Sequence, residues 1–117
     1  MIQRLTKAKA VYLCYEPVDF RKNINGLAAI VQGSFGKNPF DGELFVFCNK
    51  HKNVIKVLKW DMDGFTLYHK RRERGRFCWP VFKEVEGTIN ISKNDLNRLL
   101  DGLVMEQFSP HKNYTMI

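Results

Sequence analysis

The run "LFVFC", Leu44 to Cys48, places apolar side chains on five consecutive positions. Neighbouring side chains of an extended chain point to opposite faces, so a strand that is apolar throughout has to be covered on both sides. The centre of this run is therefore expected in the core, and the fold must bring covering elements to it. "AVYLCY", Ala10 to Tyr15, is β-branched and aromatic in content and is closed by Glu16 and Pro17, which reads as a short buried strand. Phe20, Ile24, Leu27, Ala28, Val31 and Phe35 recur at helical spacing, with Asp19 as the expected N-cap and Gly33 and Gly36 ending the pattern.

Turn chemistry divides the rest of the chain. "NPFDGE" leads into the apolar run, and "NKHKN" connects it to "VIKVLKW", Val54 to Trp60. "DMDG" connects that strand to "FTLYHKR", and "RERG" connects the latter to "RFCW", which predicts an antiparallel meander. A less regular piece, "VFKEVEG", precedes a short strand "TINI" and a helix "SKNDLNRLLDGL". Ser92 and Asp95 have capping-box spacing there, and Leu96, Leu99, Leu100 and Leu103 form the apolar stripe. The order β-α-β-β-β-β-β-α is that of an α+β fold: an antiparallel sheet with a central β-meander and about two covering helices. A chain of 117 residues is expected to be a single domain, residues 1–117, with its core at about 10–103 and a tail at 104–117.

The formal charge is +7, and its distribution matters more than its size. Lys50, Lys52, Lys56, Lys59, Lys70, Arg71, Arg72, Arg74 and Arg76 fall between residues 50 and 76, against Asp61, Asp63 and Glu73. Unbalanced positive charge favours a polyanionic partner. The three cysteines are far apart and lack metal-ligand spacing, so they read as reduced thiols of a cytoplasmic protein with no cofactor and no metal. The apolar piece Ala10 to Tyr15 is too short for a signal sequence, and nothing approaches a membrane span.

Two groups of residues could carry chemistry. Asp61 and Asp63 could bind a divalent cation with a phosphate substrate, with Glu43, Glu84 or Glu86 as further carboxylates, but Asp-x-Asp-Gly between two strands is first of all a turn with a glycine at positive φ. The cations Lys70, Arg71, Arg72, Arg74 and Arg76 straddle the next turn and would gather near one hairpin tip, where arginine supplies bidentate donors to phosphate. Their alternative role is a charged edge that discourages strand pairing. Trp60, Phe65, Tyr68, Phe77 and Trp79 are interleaved with the cations. Alternation makes Tyr68 the candidate for an exposed stacking platform and puts Phe77 and Trp79 together on the inner face. Arg21 and Lys22 form a secondary basic pair. His51, His69 and His111 have no nucleophile at motif spacing, and no glycine-rich phosphate loop is present.

Three blocks together resemble a known family: "VYLCYEPVDFRKNINGLAAIV", "NPFDGELFVFCNKHKNVIKVLKWDMDGFTLYHKRRERGRFCWP" and "ISKNDLNRLLDGL". They look like successive blocks of the small accessory protein, called TnpB or Orf2, of the IS-sixty-six class of bacterial insertion sequences. The resemblance covers roughly Ala10 to Leu103 and implies a protein encoded beside a separate DDE-type transposase, supporting transposition without performing strand transfer. It implies a process rather than a chemical activity. The combined expectation is a non-catalytic factor that binds DNA phosphates through a basic hairpin, assists the transposase, or both. The alternatives are a metal-dependent nuclease using Asp61 and Asp63, and a module that meets the transposase through Tyr68, Trp79 and the charged hairpin. The oligomeric state has no signature in the sequence.

Overall fold

Leu44–Cys48 is the middle strand of a five-stranded sheet, and all five of its residues are buried. The computed structural model describes residues 8–81 and 87–108. Within them, β1 (Val11–Cys14), α1 (Ile24–Ser34), β2 (Leu44–Cys48), β3 (Val54–Asp61), β4 (Gly64–Arg71), β5 (Thr88–Ile91) and α2 (Lys93–Leu100) follow in chain order. The sheet order is β4-β3-β2-β1-β5. β2, β3 and β4 form the expected antiparallel meander, and β5 pairs antiparallel with β1. β1 and β2 are parallel, with Val11 opposite Leu44 and Leu13 opposite Val46, because α1 carries the chain back across the sheet between them.

That crossover explains why β2 is apolar at every position. Phe45 and Phe47 face α1, packing with Cys14, Leu27, Val31 and Leu58. Leu44, Val46 and Cys48 face the other way, packing with Leu13, Ile55, Val57, Leu96 and Leu99. The two helices thus cover opposite faces, and each fully buried Leu or Phe contributes roughly 1.5–3 kcal/mol. Packing continues past Leu103: Met105 is buried, and Phe108, in a 3-10 turn at Glu106–Phe108, packs against the α2-side core.

Three local expectations are corrected. The first helix is capped by Asn23, whose Oδ1 accepts the Gly26 N–H at 3.0 Å, and not by Asp19. Asp19 is engaged four residues earlier, its carboxylate accepting from the Arg21 backbone N–H and guanidinium. The segment "RFCW" is no strand and "RERG" no hairpin turn. Phe77 and Trp79 are both buried, as expected, but a tight turn in which the Trp79 N–H donates to the Phe77 carbonyl breaks the extended path. The segment instead crosses back over the end of the sheet, and the Trp79 indole Nε1 donates to the Tyr15 carbonyl at 3.0 Å. In the Asp61–Gly64 turn the residue at positive φ is Met62, at 58°, and not the glycine, which begins β4.

The Ser92 cap forms, with its Oγ accepting the Asp95 N–H at 2.9 Å. Asp95, 2% exposed, does not close the reciprocal half of a capping box. Its carboxylate turns to the start of the 3-10 turn and accepts from the Glu106 and Gln107 N–H groups. Residues 82–86, with Glu84 and Glu86, and residues 109–117, with His111, lie outside the described structure.

Candidate nucleic-acid interface

The turn between β2 and β3 is built around Asn49. Its Oδ1 accepts from the Asn53 and Val54 N–H groups, and its Nδ2 donates to Asn53 Oδ1 at 2.7 Å. Lys52 takes a positive φ of 61° to close the turn, which leaves Lys50 and His51 exposed at the tip. The chain leaving β4 then lies alongside. The Arg72 N–H donates to the Asn53 carbonyl at 2.8 Å and the Phe77 N–H to the Lys52 carbonyl at 2.7 Å. Buried Phe77 anchors the loop between these two bonds, and Arg74 and Arg76 stand exposed on it around Gly75 at φ 75°. Lys50, Lys52, Arg71, Arg74 and Arg76 are thereby collected at one end of the sheet from two separate turns.

The remaining cations go elsewhere. Lys70 Nζ donates to the Leu100 carbonyl at 2.6 Å, at the C-terminus of α2. Arg72 reaches the Arg74 carbonyl through Nε, lies 5.8 Å from the Phe77 ring centroid and rests against Gly102. Lys56, on the α1 face, sits 4.8 Å from the Phe20 ring centroid. Lys59 is opposite Thr66, towards the far end of β3. Within the collected group, Arg71 pairs with Glu73 at 3.0 Å, an exposed bridge of small energetic weight that leaves it at the cationic end. Tyr68 is half-buried against the α2-side core, so the expected exposed platform is largely covered, and Trp79 is 7% exposed.

Asp61 and Asp63 lie at the opposite end of the sheet. At about 3.3 Å per residue, the length of β3 separates their turn from the cationic end by roughly 23 Å. The two features that adjoin in the sequence therefore do not form one site. Among the described residues no three His, Cys, Asp or Glu side chains gather to hold a metal ion. The same far end carries Phe40, Trp60 and Phe65 in mutual ring contact at 5.0 to 5.4 Å, with Phe40 52% and Met62 89% exposed.

A feature with no local sequence signal lies beside the cationic turns. The loop leaving β1 folds over the end of β2, where the Val18 N–H donates to the Cys48 carbonyl at 2.9 Å. An open groove of about 750 Å³ runs between this loop, residues 16–21, and the turn at residues 49–51. It sits at the carboxyl ends of the parallel strand pair, the side of such units where ligands commonly bind. Arg21 lines it but is committed to Asp19, with Nη2 and Oδ2 2.7 Å apart. That pairing, through the Arg21 guanidinium and then its backbone N–H, holds the Asp19 carboxyl down at about 2. Burial acts oppositely on the thiols, raising Cys14 far above its ordinary range and pushing Cys48 up to about 12.

Fold and surface together define a small basic α+β domain with helices on both faces of a mixed sheet and a group of five cations at one end. No helix among the described residues is long and apolar enough to cross a membrane. The family described as "IS66 Orf2 like protein" matches residues 9–110, and the chain belongs to it, among the accessory proteins of that class of insertion sequence. Two similar proteins of Sinorhizobium fredii are the uncharacterized proteins y4hO and y4jC. The first is 39% identical over 93 residues, 80% of this chain and 79% of the relative. The second is 33% identical over 93 residues, 80% of this chain and 78% of the relative. No solved structure matches the chain.

Proposed function

We propose that the protein is a non-catalytic DNA-handling factor of transposition, contacting backbone phosphates through Lys50, Lys52, Arg71, Arg74 and Arg76 and acting alongside the element's transposase. The observation that carries this reading is the pair of backbone bonds from Arg72 to Asn53 and from Phe77 to Lys52. They hold two cation-bearing turns together, and Glu73 is the acid set among them. Phosphate contacts require that density of positive charge without requiring a recognition helix. The test is binding of labelled duplex from the ends of the element. Arg74→Ala with Arg76→Ala should weaken it about tenfold or more, since each lost phosphate contact removes a counterion-release contribution. Lys56→Ala, a cation engaged on the α1 face, should change it less than about twofold. Equal losses in both would refute the assignment.

The exposed aromatic end favours a second contact, with the transposase, at Phe40 and Met62. Phe40→Ser with Met62→Ser should reduce capture of the transposase and leave DNA affinity unchanged. A nuclease role for Asp61 and Asp63 is tested by Asp61→Asn with Asp63→Asn. The proposal expects neither the variant nor the parent to cut DNA with Mg²⁺, and cleavage by the parent alone would establish the catalytic alternative.

A further inference from the structure

We infer that the groove between the β1–α1 loop and the Asn49–Asn53 turn takes one unpaired nucleotide of DNA, so that the protein prefers a single-stranded or frayed end to intact duplex. The inference rests on the phosphate-binding reading and deepens it.

The groove has two chemically different sides. Pro17, Val18 and Phe20 form an apolar wall, while Lys50 and His51 stand on the opposite turn, next to the cations at the end of the sheet. An aromatic and aliphatic wall facing a cationic rim suits a nucleotide, whose base is flat and largely apolar and whose phosphate is anionic. A groove of about 750 Å³ is roomy for a single nucleotide. Within the lining Arg21 and Lys50 balance Glu16 and Asp19, so the surplus positive charge comes from Lys52, Arg74 and Arg76 on the adjoining turns. Asp19 is held by Arg21 through Nε and Nη2, which leaves Glu16 as an exposed acceptor for an N–H on a base edge. A duplex keeps its bases stacked inside and has none to offer, whereas a strand bound along Arg74, Arg76 and Lys50 could place a base in the groove.

The walls come from segments about thirty residues apart in sequence and hold their relation through the Val18–Cys48 backbone bond and the internally bonded Asn49 turn. The groove is thus built before a ligand arrives, which limits the ordering cost of binding.

The experiment measures anisotropy of three labelled probes of equal length: a single strand, the same strand with abasic positions through its centre, and the duplex. It uses the full chain and its Pro17→Trp variant, which fills the groove from an exposed position. The intact single strand should bind about tenfold tighter than the abasic strand, the gain expected for one captured base. Pro17→Trp should erase that difference and keep duplex affinity within about twofold. If the parent binds intact and abasic strands equally, the groove holds no base, and the phosphate-binding reading survives. If none of the probes binds at low salt, both fall. Because the abasic comparison needs no variant, a folding defect in Pro17→Trp does not blunt the test.

Discussion

Lys70 Nζ donates to the Leu100 carbonyl oxygen at 2.6 Å, fastening strand β4 to the C-terminal end of helix α2. The last carbonyls of a helix lack intrahelical partners and carry the negative end of its dipole, so a lysine there satisfies an acceptor and a field together. Cys78 Sγ reaches the Gly102 carbonyl at 3.5 Å, and the Arg72 guanidinium packs on Gly102. A cation that sequence pattern assigns to nucleic acid is here a structural clamp. Lys70→Met, which keeps the aliphatic stem, should cost about 1–2 kcal/mol in denaturant unfolding, the range for a charge-assisted bond partly offset by solvation. DNA affinity should change far less than in the Arg74/Arg76 variant.

Met62 turns the β3–β4 hairpin at φ 58°, a region that costs a side-chain-bearing residue roughly 1–2 kcal/mol. Its side chain is 89% exposed and holds no packing to lose. Met62→Gly is therefore expected to stabilise the fold by up to about 1 kcal/mol, the lower figure reflecting the extra freedom glycine has when unfolded. A raised melting temperature checks it.

The thiols should separate by burial. Cys14 and Cys48 are enclosed in the sheet's two cores, and burial raises both above their ordinary range, whereas Cys78 is exposed. In native protein near neutral pH, a thiol reagent should modify Cys78 readily and the other two only after denaturant is added. Rapid native modification of Cys14 would mean that the sheet opens locally.

The Asp19–Arg21 pair predicts a pH signature. The Asp19 carboxyl titrates at about 2 in the folded chain, below its ordinary value of 3.8, so the pair's contribution is present above the ordinary value and is lost as pH falls towards 2. Both groups are exposed, which makes the effect on stability slight. Carboxyl carbon NMR should show the depressed titration, and Arg21→Ala should return it towards 3.8.

What was legible in the sequence was what local pattern controls. The unbroken apolar run at Leu44–Cys48 announced a covered strand, the Asn49–Asn53 and Asp61–Gly64 turns separated the meander strands, and Ser92 marked the start of α2. The misses share a different physical origin. "RFCW" has strand-like content, but burying Phe77 and Trp79 at the sheet end outweighed its extended propensity. Asp19 and Asn23 are both good caps by residue type, but Asp19 sits in a separate turn, its carbonyl accepting the Lys22 N–H, and the helix begins only after Asn23. The parallel β1–β2 pairing is non-local, and so is the groove that depends on it. The cationic run was visible as a run, but its division between Lys70 and Arg72, drawn to α2, and Arg74 and Arg76, left on the surface, required the fold.

The most direct test of the central claim is the salt dependence of DNA binding. Duplex from the element's ends is titrated by anisotropy from low to physiological salt with the parent chain and with Lys50→Ala/Arg74→Ala/Arg76→Ala. Contact with about five phosphates predicts a log–log slope of about −4.5 for the parent and a slope about 2.7 units shallower for the variant. A parent that binds with a flat slope, or not at all at low salt, would contradict a phosphate-contacting role for the cationic end.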